Sequence, residues 1–470
     1  MHLIDALRYK RGSSLALVGA GGKTTALFLI AREILETSVE ESVKQTVFVT
    51  TTTHFGAWQS DLADHFIFID SLSDIKKLEK QIPDGIVLLT GEEKNDRLKG
   101  LTYRQIDTLH QLTKKRNISL LIEADGSHLH SLKAPAREEP VIPEFVQNVI
   151  VVAGLQGLRK PLTANWVHRP EIFAELSELH LGDEIKADAI LNVLLHKQGG
   201  LKGIPSCARR VSLLNQADTP ELQSQAKTIA EQLIPSYHAS IITSLLIENQ
   251  RISSPVDQKQ QLKTDIYAVV EPIGAIILAA GGSRRFGQPK QLLSWNGQPL
   301  IRHIAKTALK AGLMPVVVVV GAAASEVTSA IKDLPLRIVN NPEWITGLSS
   351  SIKVGIQSLP QEIGGAVFLQ ADQPQIPDSL FRGLVEVHQT SLNPIIAPLV
   401  DGQRGNPVLF DKSTFIDLIS LEGDMGGRVL FTHFPVQWLN WHDANLLIDI
   451  DTPEDYEKLL AIYPQDKVET

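Results

Sequence analysis

Short apolar runs separated by stretches of helical composition recur along most of the chain. A short, unbroken apolar run is typical of a strand that is buried on both faces of a parallel sheet. Such strands alternating with helices predict an α/β protein in which each domain is a mostly parallel, doubly wound sheet. The runs that we interpret as strands are 15–18, 46–50, 66–69, 86–89, 120–122, 149–152, 210–214, 275–278, 316–320, 337–339 and 366–369.

One long segment interrupts this alternation. Residues 248–265 have few large apolar side chains, are rich in Gln, Ser and Lys, and contain Pro255. This composition is typical of a linker between domains. We therefore predict a first domain over 1–250, a linker over 251–269 and a second domain over 270–470. A chain of 470 residues is long enough for two separate cores.

The strand that opens the second half runs directly into a glycine-rich turn followed by basic residues. Gly281 and Gly282 have no Cβ, so the backbone there can approach a ligand and direct its N–H groups at anionic oxygens. Arg284, Arg285 and Lys290 follow within a few residues, and these cations suit a triphosphate. The spacing fits neither a Walker loop nor a dinucleotide fingerprint. The alternative is an ordinary strand, turn and helix with solvated basic residues.

Two aspartates of the second half are candidate ligands of a magnesium ion. Asp372 follows a buried strand, and ligands gather at the carboxyl ends of parallel strands. Asp449 and Asp451 alternate with isoleucines, so on a strand they would share one face, and one of them would join Asp372. The alternative for Asp372 is a simple turn aspartate. Thr452 and Pro453 predict the start of a terminal helix.

The first half carries a second, independent candidate phosphate loop. A predicted strand is followed by a glycine-rich loop, then Lys23 and Thr24, and then a helix, which is the arrangement that cradles nucleotide phosphates. Lys23 would reach the terminal phosphates and Thr24 would bind magnesium. The loop is shorter than the usual Walker sequence, because Leu17 stands where that sequence has a glycine. The residues that we expect to bind the nucleotide are Gly19, Gly21, Gly22, Lys23, Thr24 and Thr25.

Two further segments of the first half bear on this loop. The carboxylates of Glu123 and Asp125 end a predicted strand, where a Walker B acid would hold magnesium, although Asp-Gly after a strand is often only a turn. Asn215-Gln-Ala-Asp218 is similar to the guanine-reading sequence of GTPases, but Gln216 replaces the lysine. The choice between ATP and GTP therefore stays open.

Composition and charge narrow the classes of partner. The net charge of -8 gives no basic field for a nucleic acid, so we expect no such partner. Cys207 is the single cysteine, which excludes disulfides within the chain and cysteine-cluster metal sites. No apolar run reaches transmembrane length and no signal pattern opens the chain, so we expect a cytoplasmic protein without a membrane partner.

The motifs of the second half together resemble the molybdenum cofactor cytidylyltransferases of the nucleotidyltransferase superfamily. They are Leu278-Ala-Ala-Gly, the following Ser283, Arg285, Phe286 and Lys290, Ala371-Asp-Gln-Pro, Gly405-Asn-Pro-Val and Asp449-Ile-Asp-Thr-Pro-Glu-Asp. The resemblance implies a Rossmann-like fold and transfer of CMP from CTP to molybdopterin with Mg²⁺. It implies that Arg285 and Lys290 are catalytic phosphate-binding residues and that Asp372 and Asp449 bind the metal. It places Leu278, Ala279, Ala280, Gly281, Gly282 and Ser283 in the nucleotide site. One residue of the Leu-Ala-Ala-Gly motif distinguishes it from the guanylyl form, so CTP is favoured over GTP.

The motifs of the first half resemble the YqeC-like family, whose members are described as accessory proteins of selenium-dependent molybdenum hydroxylases. The motifs are Gly19-Ala-Gly-Gly-Lys-Thr-Thr, Thr51-Thr-Thr-His, Glu123-Ala-Asp-Gly-Ser and Lys133-Ala-Pro-Ala-Arg-Glu-Glu-Pro. The resemblance implies a P-loop-like domain that binds ATP or GTP, and a molybdenum hydroxylase as a partner.

Two alternatives to a cytidylyltransferase stay open at this point. One keeps the enzyme class and changes the nucleotide to GTP or the acceptor to another phosphate compound. The other is a chaperone that binds molybdopterin and delivers it to a hydroxylase, with the first half as a nucleotide-driven switch.

Overall fold

The computed structural model describes residues 1–37, 45–249, 260–283 and 286–463. The chain divides into two compact units, Met1–Val270 and Glu271–Thr470. Each unit is built around one large sheet whose strands are mostly parallel. The predicted α/β class with two sheet-rich domains is therefore confirmed.

The first unit contains a nine-stranded sheet in the order β14-β13-β12-β10-β1-β8-β2-β5-β4 and two small accessory sheets. The strands are β1 (Ser14–Gly19), β2 (Thr46–Thr51), β3 (His54–Gly56), β4 (His65–Phe68), β5 (Gly85–Thr90), β6 (Glu93–Lys94), β7 (Arg97–Lys99), β8 (Ser119–Glu123), β9 (Leu132–Lys133), β10 (Asn148–Gly154), β11 (Val167–His168), β12 (Arg209–Asn215), β13 (Ala239–Asn249) and β14 (Gln260–Val270). The α-helices are α1 (Leu3–Ala6), α2 (Lys23–Glu36), α3 (Leu72–Lys80), α4 (Tyr103–Arg116), α5 (Pro170–Ser177), α6 (Ala187–Leu195) and α7 (Pro220–Leu233). Short 3-10 helices span Ala57–Leu62 and Leu155–Gly157.

The central strand β1 shows why an unbroken apolar run was the correct signal. Ala16 and Val18 join a core cluster with residues of α3, α4 and α7. Leu15 and Leu17 point to the opposite face and are fully buried as well. Since β1 pairs in parallel with β8 and β10, the loop after β1 lies beside the end of β8.

The predicted linker requires a correction. Residues 260–269 lie in β14, an edge strand that pairs antiparallel with β13 and ends at Val270. Asp265 is exposed, whereas Ala268, Val269 and Val270 are buried. The mostly polar sequence of residues 260–265 is similar in composition to a linker. Residues 251–259 lie outside the described residues.

The second unit contains an eight-stranded sheet in the order β19-β18-β15-β20-β23-β21-β22, with β24 also paired to β21. The strands are β15 (Ile273–Ala279), β16 (Ser294–Trp295), β17 (Gln298–Pro299), β18 (Val316–Val320), β19 (Arg337–Asn340), β20 (Gly365–Gln370), β21 (Ile395–Val400), β22 (Gln403–Arg404), β23 (Val408–Asp411) and β24 (Val436–Asn440). The α-helices are α8 (Leu300–Lys310), α9 (Ala324–Ile331), α10 (Leu348–Gln357), α11 (Asp378–Ser391), α12 (Phe415–Ile419) and α13 (Pro453–Ile462). Short 3-10 helices span Lys290–Leu292, Trp344–Thr346, Lys412–Thr414, Gly427–Thr432 and Ala444–Leu447.

Helices cover both faces of this second sheet. Alternate residues of β15 enter two different clusters: Ala275 and Ile277 pack with α8 and α11, and Ile276 packs with α10. β15 lies between β18 and β20 and runs parallel to both. The carboxyl ends of these three strands therefore meet at one edge, where the glycine-rich turn and Asp372 follow β15 and β20.

The segment 448–451 differs from its predicted form. It follows a 3-10 helix and is irregular rather than a strand, with Ile450 fully buried. The predicted helix start is confirmed, because Thr452 caps α13 through the N–H of Asp455 and Pro453 is its first residue.

Candidate functional site

Lys290 is the centre of a cluster of charged groups at the carboxyl edge of the second sheet. Its Nζ donates to a carboxylate oxygen of Asp372 and, at 3.2 Å, to the carbonyl of Ile450. It also lies 3.7 Å from a carboxylate oxygen of Asp451. One ammonium group thus connects the glycine-rich turn, the end of β20 and the segment before α13.

Asp372 and Asp449 form an acidic pair beside this ammonium group. Asp372 is only 5% exposed, and its Oδ1 is buried without a described hydrogen-bond partner. Gln373 Nε2 donates to Asp449 Oδ1 at 2.5 Å. Burial and then the charge of Asp372 raise the pKa of Asp449, although Gln373 and Lys290 act in the opposite direction. The two carboxylates are therefore close enough to repel each other.

This pair fits a magnesium ion that is held partly by substrate. Mg²⁺ is usually bound by one or two carboxylates together with substrate phosphates and waters. The free Oδ1 of Asp372 is a buried acceptor of the required kind. Among the described residues, no group of three or more His, Cys, Asp or Glu side chains is arranged to hold a metal on its own.

The glycine-rich turn is shaped by contacts that were not predicted from the sequence. Gln291 Nε2 donates to the carbonyls of Ala279 and Gly281 at 3.1 and 2.9 Å. The backbone N–H of Lys290 donates to Ser283 Oγ at 3.1 Å. Leu278 and Ala279 end β15, and the turn continues through Ala280, Gly281, Gly282 and Ser283. Apart from its position next to Lys290, Gln291 carries no sequence signal for this role.

A cavity of about 770 Å³ lies over this turn. Its volume is within the range of pockets for small molecules and cofactors. Arg285, the other predicted catalytic residue of this site, lies outside the described residues. The residues that line the cavity are Ala280, Gly281, Gly282, Ser283, Phe286, Lys290, Trp344, Ile345, Thr346, Gly347, Leu348, Ser351, Asp424 and Asp451.

The glycine-rich loop of the first unit has the geometry of a helix start facing a pair of acids. Lys23 begins α2, is only 3% exposed, and donates from Nζ to the carbonyl of Gly19 at 2.8 Å. Its Nζ also lies 3.3 Å from Asp125 and 3.9 Å from Glu123. Thr24 donates to Glu123 at 2.8 Å. The residues predicted to hold phosphate and magnesium are therefore in contact, and Thr25 follows in the first turn of α2.

Burial changes the pKa of one acid in this cluster, and a second lysine neutralises the other. Burial raises the pKa of Glu123, although Lys23 and Thr24 lower it. Lys133 Nζ contacts Asp125 at 2.8 Å and Glu139 at 3.0 Å. Lys133 was not among the predicted site residues, and the structure places it in the short strand β9.

Both polar atoms of the Asn215 side chain bind the protein itself and not a nucleotide base. Its Nδ2 donates to the carbonyl of Gly21 at 2.7 Å, and its Oδ1 accepts from the N–H of Leu245 at 2.9 Å. Asp218 accepts hydrogen bonds from Ser244 at 2.5 Å and from Gln156 at 3.1 Å.

A cavity of about 690 Å³ opens beside Thr24 and Glu123. It extends along the ends of β2 and β8, on the side of the loop away from β12. Its wall includes the cations Arg97 and Lys99 and the ring of Trp58.

Family models match both units. The model described as YqeC protein matches residues 15–171, and the model described as MobA-like NTP transferase domain matches residues 275–438. The protein YqeC of Escherichia coli is 31% identical over 214 residues, which cover 46% of this chain and 80% of the relative. The chain belongs to the YqeC family through its first unit and to the MobA-like NTP transferases through its second.

Relatives of the MobA-like domain have been given different functional names. The molybdenum cofactor cytidylyltransferase of Escherichia coli is 27% identical over 188 residues, covering 39% of this chain and 93% of the relative. A protein of Paenarthrobacter nicotinovorans named nicotine blue oxidoreductase is 31% identical over 198 residues, covering 40% of this chain and 96% of the relative. The family assignment identifies the MobA-like domain as a nucleotidyltransferase.

Over the ranges that the structure describes, no helix is both long and apolar enough to cross a lipid bilayer.

Proposed function

We propose that the MobA-like domain transfers CMP from CTP to the terminal phosphate of molybdopterin and releases pyrophosphate. The observation that carries this proposal is the meeting of Lys290, Asp372 and Asp449 under the glycine-rich turn, beside a cavity of about 770 Å³. The choice of cytidine follows the name of the Escherichia coli relative and the Leu278-Ala-Ala-Gly motif.

The reaction needs positioning and charge neutralisation more than proton transfer. An oxygen of the acceptor phosphate forms a bond to the α-phosphorus of CTP, and the bond from that phosphorus to the pyrophosphate oxygen breaks. Because a phosphate monoester is already anionic, no general base is required. Lys290 would bind the nucleotide phosphates, and the turn would direct its N–H groups at them. Asp372 and Asp449 would hold Mg²⁺, which supplies positive charge to the reacting phosphates when bound.

Replacement of Lys290 tests this assignment. In Lys290→Ala we expect pyrophosphate release from CTP and molybdopterin to fall by about 100- to 1,000-fold, since one preorganised charge at the reacting phosphates is lost. Lys306→Ala is the matched control, because Lys306 lies on α8 and donates to Gln298 in an exposed pair. Circular dichroism checks that both variants are folded. Near-normal turnover of folded Lys290→Ala would show that this lysine is not catalytic.

For the YqeC domain, we propose that the loop from Gly19 to Thr25 binds ATP or GTP and that the domain assists maturation of a molybdenum hydroxylase. Support comes from the contact of Thr24 with Glu123 and from the position of Lys23 at the start of α2. Helix N-termini and loop N–H groups favour anions. The cavity beside Thr24 is large enough for a ligand next to the terminal phosphate.

Replacement of Lys23 tests the first site. We expect Lys23→Ala to lose most binding of ATP or GTP, measured by calorimetry on the full chain, because Lys23 supplies the charge nearest the terminal phosphates. The fold should persist, since Lys133 still neutralises Asp125. Lys115→Ala, which removes an exposed partner of Glu79, is the control. If the wild-type chain and Lys23→Ala bind both nucleotides equally, the loop is not a nucleotide site.

A further inference from the structure

A second, smaller cavity of about 240 Å³ lies in the MobA-like domain beside the candidate nucleotide site. It runs along the carboxyl ends of β15 and β20, where Leu278 and Gln370 contribute to its wall. Most of the wall is apolar and aromatic. Its aromatic residues are Phe368, Phe410 and Phe431, and its basic residues are Arg404 and Arg428.

The two arginines line the same cavity, and no acid neutralises either of them in the described part of the chain. The Arg404 guanidinium lies 4.7 Å from the centre of the Phe431 ring. Burial, and then the nearby charge of Arg428, lower the pKa of Arg404. Neither arginine forms an ion pair with a carboxylate anywhere in the described part of the chain. Arg404 is partly buried and Arg428 is exposed at the mouth of the cavity. Their like charges repel each other, so an anion between them would be stabilising.

Packing fixes the guanidinium of Arg404 and the backbone of Arg428. Arg404 ends the short strand β22, which pairs with β21, and packs on Phe431. Arg428 follows Gly427, where a Cβ would lie 2.5 Å from Cζ of Phe410. Only glycine allows this close approach, so the backbone that carries Arg428 is packed tightly against the cavity wall.

The cavity adjoins the candidate nucleotide site. Leu348 lines both cavities. The segment that begins with Asp424 on the nucleotide side continues to Gly426 and Arg428 on the other. A group bound between the arginines would therefore lie next to the nucleotide, where an acceptor must be.

The cavity is too small for a second nucleotide. Pockets that enclose whole drug-sized ligands have volumes of roughly 300–1,000 Å³, whereas this cavity has about 240 Å³. The cavity suits a ligand that has an anionic group next to a planar ring. Guanidinium groups bind phosphate through paired hydrogen bonds, and aromatic rings pack against planar groups.

We propose that Arg404 and Arg428 bind the phosphate of the acceptor substrate and make this enzyme selective for phosphate monoesters attached to a flat ring system. The proposal rests on the proposed function, in which the acceptor attacks CTP through a phosphate oxygen. Phe431 is a positioning residue that holds Arg404 in the cavity.

Steady-state kinetics of arginine variants test the proposal, with pyrophosphate release as the measurement. In Arg404→Ala and Arg428→Ala we expect KM for molybdopterin to rise by about 10- to 100-fold, as the loss of a charge-assisted hydrogen bond predicts. KM for CTP should not change, because CTP is bound in the other cavity. Arg404→Lys keeps the charge but not the paired donors, so its KM for molybdopterin should be intermediate.

The controls separate binding from folding. Arg382→Ala removes an exposed arginine that pairs with Asp378 on α11, and it should have normal kinetics. Thermal unfolding is measured for every variant to show that it is folded. If Arg404→Ala is unstable, Arg404→Lys still tests the role of Arg404. The proposal is overturned if KM rises for CTP and not for molybdopterin, or if neither changes in the folded variants.

The outcome can be distinguished from failure of the proposed function. If the wild-type chain releases no pyrophosphate from CTP and molybdopterin, the proposed function fails at that step. The variants are then compared on the nucleotide and acceptor that the wild-type chain does use in a screen of phosphate monoesters. A raised KM for that phosphate acceptor still supports the arginine site, and an acceptor without a phosphate overturns it.

Discussion

Lys290 shows at the residue scale what a sequence can predict about a site and what it cannot. Its residue type and its place after a glycine-rich turn predicted a phosphate-binding group, and Asp372 after a buried strand predicted a metal ligand. The contact between them joins positions 82 residues apart, and the contact with Ile450 joins positions 160 residues apart. No local pattern encodes these distances, because they depend on which strands become neighbours.

His168 gives a prediction about stability and pH. Burial, then the charges of Arg169, His128 and Lys133, lower its pKa from the ordinary value of 6.5 to about 4. Glu139 acts in the opposite direction and is a carboxylate over this whole range, since its own pKa is about 2. A folded-state pKa below the unfolded value means that the unfolded chain binds the proton more readily. This contribution to stability is present above pH 6.5 and is lost as the pH falls towards 4.

We therefore expect the thermal midpoint of the full chain to fall between pH 6.5 and pH 4, and to fall less steeply in His168→Asn. The measurement is thermal unfolding followed by calorimetry at a series of pH values. His180→Asn is the control, because the His180 side chain is 94% exposed. Equal slopes in wild type and His168→Asn would contradict the assignment of the effect to this histidine.

At the scale of single elements, the long apolar strands could be predicted and the polar or very short ones could not. β18 has the predicted bounds, and β1, β8 and β20 differ from theirs by one residue at each end. These strands are buried on both faces, so their sequence is apolar without interruption. β14 was missed because residues 260–265 are mostly polar, and the strand depends on pairing with β13. β6 and β7 are too short to show a period.

The loop before α2 provides a test at this scale. Gly22 has φ of +120°, and a Cβ there would lie 2.4 Å from Nδ2 of Asn215. Asn215 cannot move away easily, since its side chain is hydrogen-bonded to the backbone of Gly21 and Leu245. A left-handed conformation alone costs a non-glycine residue about 1–2 kcal/mol. In Gly22→Ala we expect the free energy of unfolding to fall by more than this, and we also expect loss of ATP or GTP binding.

Gly182→Ala is the matched control for this experiment. Gly182 has φ of +93°, but a Cβ there meets nothing within 4 Å. Its loss of stability, measured by denaturant unfolding, gives the cost of the backbone conformation without the contact. If Gly22→Ala costs no more than Gly182→Ala and still binds nucleotide, the packing of Asn215 against the loop is not important for the site.

At the scale of the whole molecule, two sheets each place a glycine-rich turn beside acidic groups at the carboxyl ends of parallel strands. The sequence predicted both turns, because strand, glycines and cations are contiguous in each. It did not predict the arginine cavity, because Arg404 and Arg428 are separated in the sequence. They come close together through the pairing of β21 with β22 and β24 and through the 3-10 helix that begins at Gly427. A net charge of -8 is compatible with both sites, since each supplies its own local cations.

The central claim is that the MobA-like domain is a cytidylyltransferase for molybdopterin, and a nucleotide screen tests it most directly. The full chain is incubated with molybdopterin, Mg²⁺ and one of CTP, GTP, ATP or UTP, and pyrophosphate is measured. The account predicts pyrophosphate with CTP, together with a cytidylylated product. The claim would be contradicted if GTP but not CTP gave pyrophosphate, or if none of the four nucleotides gave pyrophosphate in the presence of molybdopterin.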